Sequence, residues 1–222
     1  RLARTYTGRD LVVGCGYFGW HDWSSSAAGV PAATRSGFRS VPFDDIPALE
    51  RAVAEAGDAL AAIALEPVVE RLPSEEWVKR ARELCDQRGA VLIFDEMKTG
   101  FRLATGGYQQ YAKINPDLAA FGKAMANGFP IAAVCGNADL MGAAEKTWIS
   151  STLASETGSL AAVAAMLAWH DKADICQSLW STCAEMREIV SNAMTAAGIG
   201  GVSIEGIDPM WFLRFEDPAT EI

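Results

Sequence analysis

The chain has 222 residues, half of them apolar (50%), enough for one substantial domain with a buried core. Its net charge is −9 and it carries no basic cluster, which argues against a nucleic-acid partner. No run reaches the ~18 to 20 apolar residues of a membrane span, and the opening RLARTYTGRD lacks the apolar core that a signal peptide needs. The five cysteines are scattered without a C-x-x-C pair, as expected of reduced thiols in a cytoplasmic protein. His21 and His170 are too few for a His-rich zinc site.

In chain order, Leu2 to Tyr6 closes a helix that Gly8 stops, and Leu11-Val12-Val13 predicts a short strand. Gly14-Cys15-Gly16-Tyr17-Phe18-Gly19 then matches G-x-G-x-x-G, the dinucleotide fingerprint. That reading requires a helix at the glycines and a second strand ending in an acid ~20 residues on. The segment that follows, WHDWSSSAAGVPAAT, supplies neither, so nucleotide binding is kept only as the alternative from another class. Ile46 to Ala54 predicts a surface helix, and Leu60 to Leu65 a buried strand ending at Glu66-Pro67. Ser74 is an N-cap with Glu75 and Glu76 in the first turn of a helix that Gly89 closes. The face of that helix is Trp77, Val78, Ala81, Leu84 and Cys85. Val91 to Phe94 is the next strand, so strand, helix and strand form a crossover unit of a parallel sheet.

Thr99 to Arg102 reads as a loop and Leu118 to Phe121 as a strand, followed by a strand over Ile131 to Cys135 and a short helix over Leu140 to Ala144. An Ala-rich helix spans Ser155 to Lys172, with His170 as a cap near its end, and a long amphipathic helix spans Ile175 to Ala197. Val202 to Ile204 and Trp211 to Phe215 are strands. Val91-Leu92-Ile93-Phe94 stops at the carboxylates Asp95-Glu96, and Leu118-Ala119-Ala120-Phe121 stops at Gly122-Lys123. Sites in parallel sheets collect just beyond the carboxyl ends of strands. An acid after one strand and an amine after another suit an aldehyde cofactor bound through a lysine. Taken singly, Asp95 also reads as a strand-end cap and Lys123 as a solvated lysine.

The words VLIFDEMKTGFR and PDLAAFGKAMANGFP, in this order, resemble the cofactor-binding core of class III (fold type I) pyridoxal-phosphate aminotransferases, in particular the members similar to glutamate-1-semialdehyde aminomutase. The resemblance covers most of the chain and implies an α/β fold, a mostly parallel sheet covered by helices. It implies that Asp95 binds the pyridine nitrogen and that Lys123 holds pyridoxal 5'-phosphate as a Schiff base. A carboxylate there keeps the ring protonated and electron-accepting, and the lysine, once displaced by a substrate amine, can move protons.

By the same resemblance Tyr17 stacks on the cofactor ring, and Phe18 stands where the family usually has His; the other reading makes both core aromatics. Met97 would be an apolar floor under the ring, and Lys98, where the family has an uncharged residue, would point to solvent. Glu66 of the Glu-Pro pair belongs behind the residues that touch the cofactor, or is a structural strand end. Thr152, within Trp148 to Leu153, matches the threonine that reaches the cofactor phosphate of a neighbouring subunit, which implies a homodimer with a shared active site; the other reading is an N-cap. Ala154-Ser155-Glu156-Thr157 replaces the Gly-Asn-Pro of true semialdehyde aminomutases, which weakens the aminomutase assignment specifically and leaves the cofactor assignment intact. Epimerase and decarboxylase chemistry would use the same residues. Residues 1–198 are then the large domain, with an interdomain helix from about 173, and 199–222 begin a small domain. Measured against the family, the chain is expected to be a fragment without the N-terminal segment, the upstream Gly-rich phosphate loop and most of the small domain.

Overall fold

The apolar runs become strands because each is flanked by a helix that covers one face. The computed structural model describes residues 1–216, so the tail of the expected small-domain segment, 217–222, lies outside the described residues. Its centre is a six-stranded sheet: β1 (Leu11–Cys15), β2 (Phe38–Ser40), β3 (Leu60–Leu65), β4 (Val91–Asp95), β5 (Leu118–Phe121) and β6 (Ala133–Gly136), in the order β2-β1-β3-β4-β5-β6. All neighbours pair parallel except β6, which runs antiparallel to β5. The fold is α/β and mostly parallel, as the sequence implied.

The helices are α1 (Leu2–Thr7), α2 (Ile46–Ala56), α3 (Glu75–Arg88), α4 (Tyr108–Ala112), α5 (Ala138–Met141), α6 (Thr157–His170) and α7 (Ile175–Ala196). Their ends follow local chemistry. Gly8 closes α1 with φ 68°, and Gly89 closes α3 with φ 57°, left-handed conformations that cost glycine little. Asp45 caps α2 by accepting the Ala48 N–H at 2.8 Å, and Ser74 caps α3 by accepting that of Trp77 at 3.3 Å.

Strand alternation divides the core in two. Val13, Ile63, Leu65, Leu92 and Phe94 pack with Leu49 of α2 and Trp77 and Val78 of α3. Val12, Ala62, Ala64, Val91 and Leu118 pack on the other face with Leu2 and Ala3 of α1 and Leu140 of α5. Beyond α7, β7 (Val202–Glu205) and β8 (Phe212–Phe215) form a separate antiparallel pair. The Trp211 indole N–H donates to the Cys183 carbonyl at 3.0 Å and ties this pair to α7.

The glycine motif at residues 14–19 is followed by turns and a short 3-10 helix at Ala32–Arg35, with no helix at the glycines. That removes the dinucleotide reading. β2 and α4 were not legible in the sequence. The short helix expected over Leu140 to Ala144 starts earlier, at Ala138, where Asn137 accepts the Asp139 N–H at 2.9 Å.

Candidate active site

Register aligns the carboxyl ends of four adjacent parallel strands. Cys15 pairs with Leu65, Leu65 with Phe94, and Asp95 with Ala120. Glu66, Asp95 and Lys123 therefore emerge at one edge of the sheet, where a parallel fold leaves its crevice. Asp95 is half-buried, and its Oδ1 accepts the Met97 N–H at 3.0 Å, which curls the turn after β4 back onto the carboxylate. Burial pushes the Asp95 carboxyl above its ordinary range, and Glu66 pushes it further; the Met97 N–H, Lys123 and Lys98 pull the other way.

Glu66 is 3% exposed. Its Oε2 accepts the Tyr17 N–H at 2.8 Å. Its Oε1 receives no directed hydrogen bond and is met by the ammonium of Lys98 in an ion pair. Lys98 is thus corrected: it does not simply point to solvent, because a nearly buried carboxylate needs a counter-charge. Gly16 is the reason Glu66 can lie there. Its φ is 121°, and a Cβ on it would stand 2.2 Å from the Glu66 Cβ. The turn that carries Tyr17 is laid directly on the Glu66 side chain.

Lys123 is exposed at the start of a 3-10 turn, Lys123–Met125, with φ 46°. A non-glycine residue in the left-handed region is uncommon and concentrates at functional turns. Met97 packs beside it: a Cβ on Gly122 would meet the Met97 Cε at 2.5 Å. The glycine lets the thioether lie against the backbone that presents Lys123. Glu96 is fully buried and points the other way. It accepts the N–H groups of Tyr108 at 2.8 Å and Gln109 at 2.9 Å and a hydrogen bond from the Thr99 hydroxyl, so it anchors the turn that carries Met97 and Lys98. Sequence reasoning missed Glu96, Gly16 and Gly122 as supports; the two glycines beside chemical residues were the available signal.

The aromatics divide. Tyr17 is 68% exposed, on the turn whose backbone N–H Glu66 holds. Phe18 packs against Trp23 and edge-on against Phe38, at centroid distances of 5.6 and 6.0 Å, in the core on the α1 side of the sheet. Thr152 is exposed in a turn. It is not the N-cap of α6: that place belongs to Glu156, whose carboxylate accepts the N–H groups of Gly158 at 2.5 Å and Ser159 at 2.7 Å.

The mostly parallel α/β sheet is that of fold type I pyridoxal-phosphate transaminases, and solved structures share it. The chain is similar to the FumI protein of Sphingopyxis sp. MTA144, solved in its PLP internal aldimine form (TM-score 0.90, 26% identity, 97% of this chain and 54% of that one). It is also similar to a glutamate-1-semialdehyde-aminomutase from Pseudomonas aeruginosa PAO1 in complex with PMP (TM-score 0.77, 25% identity, 97% and 54%). A 3-aminobutyryl-CoA aminotransferase of Cloacimonas acidaminovorans is 36% identical over 160 residues, 68% of this chain and 39% of that protein. Residues 23–206 match the aminotransferase class-III family, and the chain belongs to it. It spans about two fifths to half of the length of these relatives, 39% of the aminotransferase and 54% of FumI.

Proposed function

We propose that this chain is the cofactor-binding core of a pyridoxal-phosphate-dependent aminotransferase, moving an amino group between a small-molecule donor and a keto or aldehyde acceptor. One observation carries the reading: a half-buried carboxylate, Asp95, and an exposed amine, Lys123, lie at the ends of adjacent parallel strands, each on a turn held by its own support. The residues fit the group. Asp95 has Oδ2 without a protein donor among the described residues, Tyr17 has an unengaged ring face, and Met97 supplies an apolar surface beside Lys123.

In this reading Lys123 Nζ would hold the group through its aldehyde, Asp95 would keep a proton on the ring nitrogen and Tyr17 would cover the ring. Pyridoxal phosphate supplies an aldehyde for the amine and a ring that takes up the electrons of the bond broken at the donor carbon. Lys123 Nζ, once released, holds and moves the proton between that carbon and the cofactor carbon. Met97 excludes water from below. Glu66 acts behind these residues by holding Tyr17. Phe18 contributes packing through Trp23 and Phe38 rather than a ring contact.

Thr152 belongs to an exposed stretch with Trp148, Ile149 and Leu153, which supports its reaching the cofactor phosphate in the partner of a homodimer. Residues 1–198 form the large domain and the β7–β8 pair opens a small one. The free thiols of Cys15 and Cys85, buried and raised to about 11 and about 12, fit a reducing cytoplasm. No helix among the described residues is long and apolar enough to cross a membrane. Transfer is preferred to the intramolecular shift because the relative at 36% identity is named as an aminotransferase.

The test is a donor and acceptor screen with the full-length protein and added cofactor, alongside Lys123→Ala. Conversion of the donor amine to its ketone or aldehyde with amination of the acceptor, at a rate falling at least about a thousandfold in the variant, is the expected result. Turnover that survives the variant would overturn the assignment of Lys123.

A further inference from the structure

Two carboxylates stand side by side at the active edge. Leu65 pairs with Phe94, so Glu66 and Asp95 are lateral neighbours one residue on. Alternation turns both toward the face occupied by Ala62, Ala64 and Val91. Like charges at neighbouring strand ends, partly withdrawn from water, disfavour ionisation, and Glu66 pushes the Asp95 carboxyl up accordingly. A carboxyl that has taken up a proton no longer offers the negative charge that keeps a ring nitrogen protonated. The site therefore needs a cation that stays with the carboxylates while Lys123 Nζ is committed to the cofactor.

Lys98 is placed for this. Its ammonium pairs with Oε1 of Glu66, the oxygen that the Tyr17 N–H leaves over. The other oxygen of Glu66 holds the Tyr17 N–H at 2.8 Å, so the ion pair joins the turn after β1 to the turn after β4. We propose that Lys98 is a positioning residue of the site, whose ammonium neutralises Glu66 so that Glu66 and Asp95 are ionised together while Glu66 fixes the Tyr17 turn. The proposal rests on the reading of this edge as a pyridoxal-phosphate site.

The charged and titratable groups around the pair agree with that role. From β4 and its turn come Asp95, Glu96 and Lys98, from the end of β5 Lys123, and from the end of β1 Cys15. Burial raises the Cys15 thiol to about 11, with Glu66 and Asp44 adding to the shift. Of the groups acting on Asp95, only Lys98 and Lys123 carry positive charge. Lys98→Met would leave the nearly buried Glu66 carboxylate beside Asp95 with no counter-ion.

The experiment titrates the cofactor-free full-length protein with pyridoxal phosphate across about pH 5 to 9, reading affinity and the acid-side midpoint of binding. The variants are Lys98→Met, Lys98→Arg, Glu66→Gln and the double variant of Lys98→Met with Glu66→Gln, each with its melting temperature. Lys98→Met is expected to loosen the cofactor roughly tenfold and to move the acid-side midpoint upward by about one pH unit. Lys98→Arg keeps both values, and the double variant recovers most of the loss. Glu66→Gln alone moves the midpoint downward, since it removes a negative charge beside Asp95, and this serves if Lys98→Met does not fold. Wild-type affinity and midpoint in Lys98→Met, or an unmoved midpoint in Glu66→Gln, would overturn the proposal while leaving the cofactor reading intact. A wild-type protein that forms no borohydride-reducible adduct on Lys123 would overturn both.

Discussion

Asp95 carries opposing demands on one side chain. Burial raises its carboxyl above the ordinary value, and the neighbouring Glu66 adds to this. A carboxyl whose pKa is raised on folding contributes stability that is full below the unfolded value of about 4 and is lost as pH rises through the folded value. At neutral pH the ionised Asp95 therefore destabilises the cofactor-free protein. Asp95→Asn is expected to raise the melting temperature of that form at neutral pH by a few degrees, roughly 1 kcal/mol, with the gain fading toward about pH 4. Cofactor-dependent turnover should fall at least about a hundredfold in the same variant. Calorimetry across pH reads the first effect; an unchanged or lower melting temperature would mean that Lys98 and Lys123 already compensate the charge in full. The positions of Asp95 and Lys123 beyond their strands were legible because each closes an apolar run within a few residues, whereas their proposed roles come from the resemblance.

At the scale of elements, the site depends on turns rather than strands. Glu96 joins the turn after β4 to the start of α4 through Thr99, Tyr108 and Gln109. Glu96→Ala leaves buried donors unpaired and opens space beside Gly107, so a loss of about 3 to 4 kcal/mol is expected in urea unfolding. Glu96→Gln keeps the shape and one acceptor and should cost about half of that. Gly16→Ala forces a Cβ into Glu66 from a φ of 121°, and should cost about 2 kcal/mol or more while weakening cofactor binding through Tyr17. A stability change near zero in Gly16→Ala would show that this turn gives way without strain. The helices bounded by Asp45, Ser74 and Gly89 could be read from sequence because their caps lie within four residues of the groups they satisfy. The Glu66–Lys98 pair could not, since its partners meet only after β3 and β4 are aligned. β2 has three residues and little apolar pattern, and α4 starts where Glu96 holds its first N–H groups. Such elements are set by tertiary contacts.

For the whole molecule, the surface around α6 is the informative feature. Trp148, Ile149, Leu153, Leu160, Leu167 and Trp169 are all exposed, and α6 is apolar on every side, a pattern that belongs to buried helices. The proposed homodimer would cover this surface and bring Thr152 to the partner's cofactor. Sedimentation of the full-length protein should give a dimer. Leu160→Asp is expected to raise the monomer fraction at least about tenfold and to reduce turnover in proportion. A wild-type monomer with full activity would contradict the shared site. The mostly parallel order of the sheet was legible from the alternation of short apolar runs with helical patterns. The covering of α6 was not, because a single chain carries no record of what packs against it.

Lys123 is proposed to carry pyridoxal phosphate beside Asp95. The most direct test is to reduce the cofactor-loaded full-length protein with borohydride, follow the visible absorption, and locate the modified peptide by mass spectrometry. The expected result is a visible band that borohydride abolishes and a phosphopyridoxyl group on Lys123, with both absent in Lys123→Ala. A folded protein with no such band, or with the group on another lysine, would contradict it.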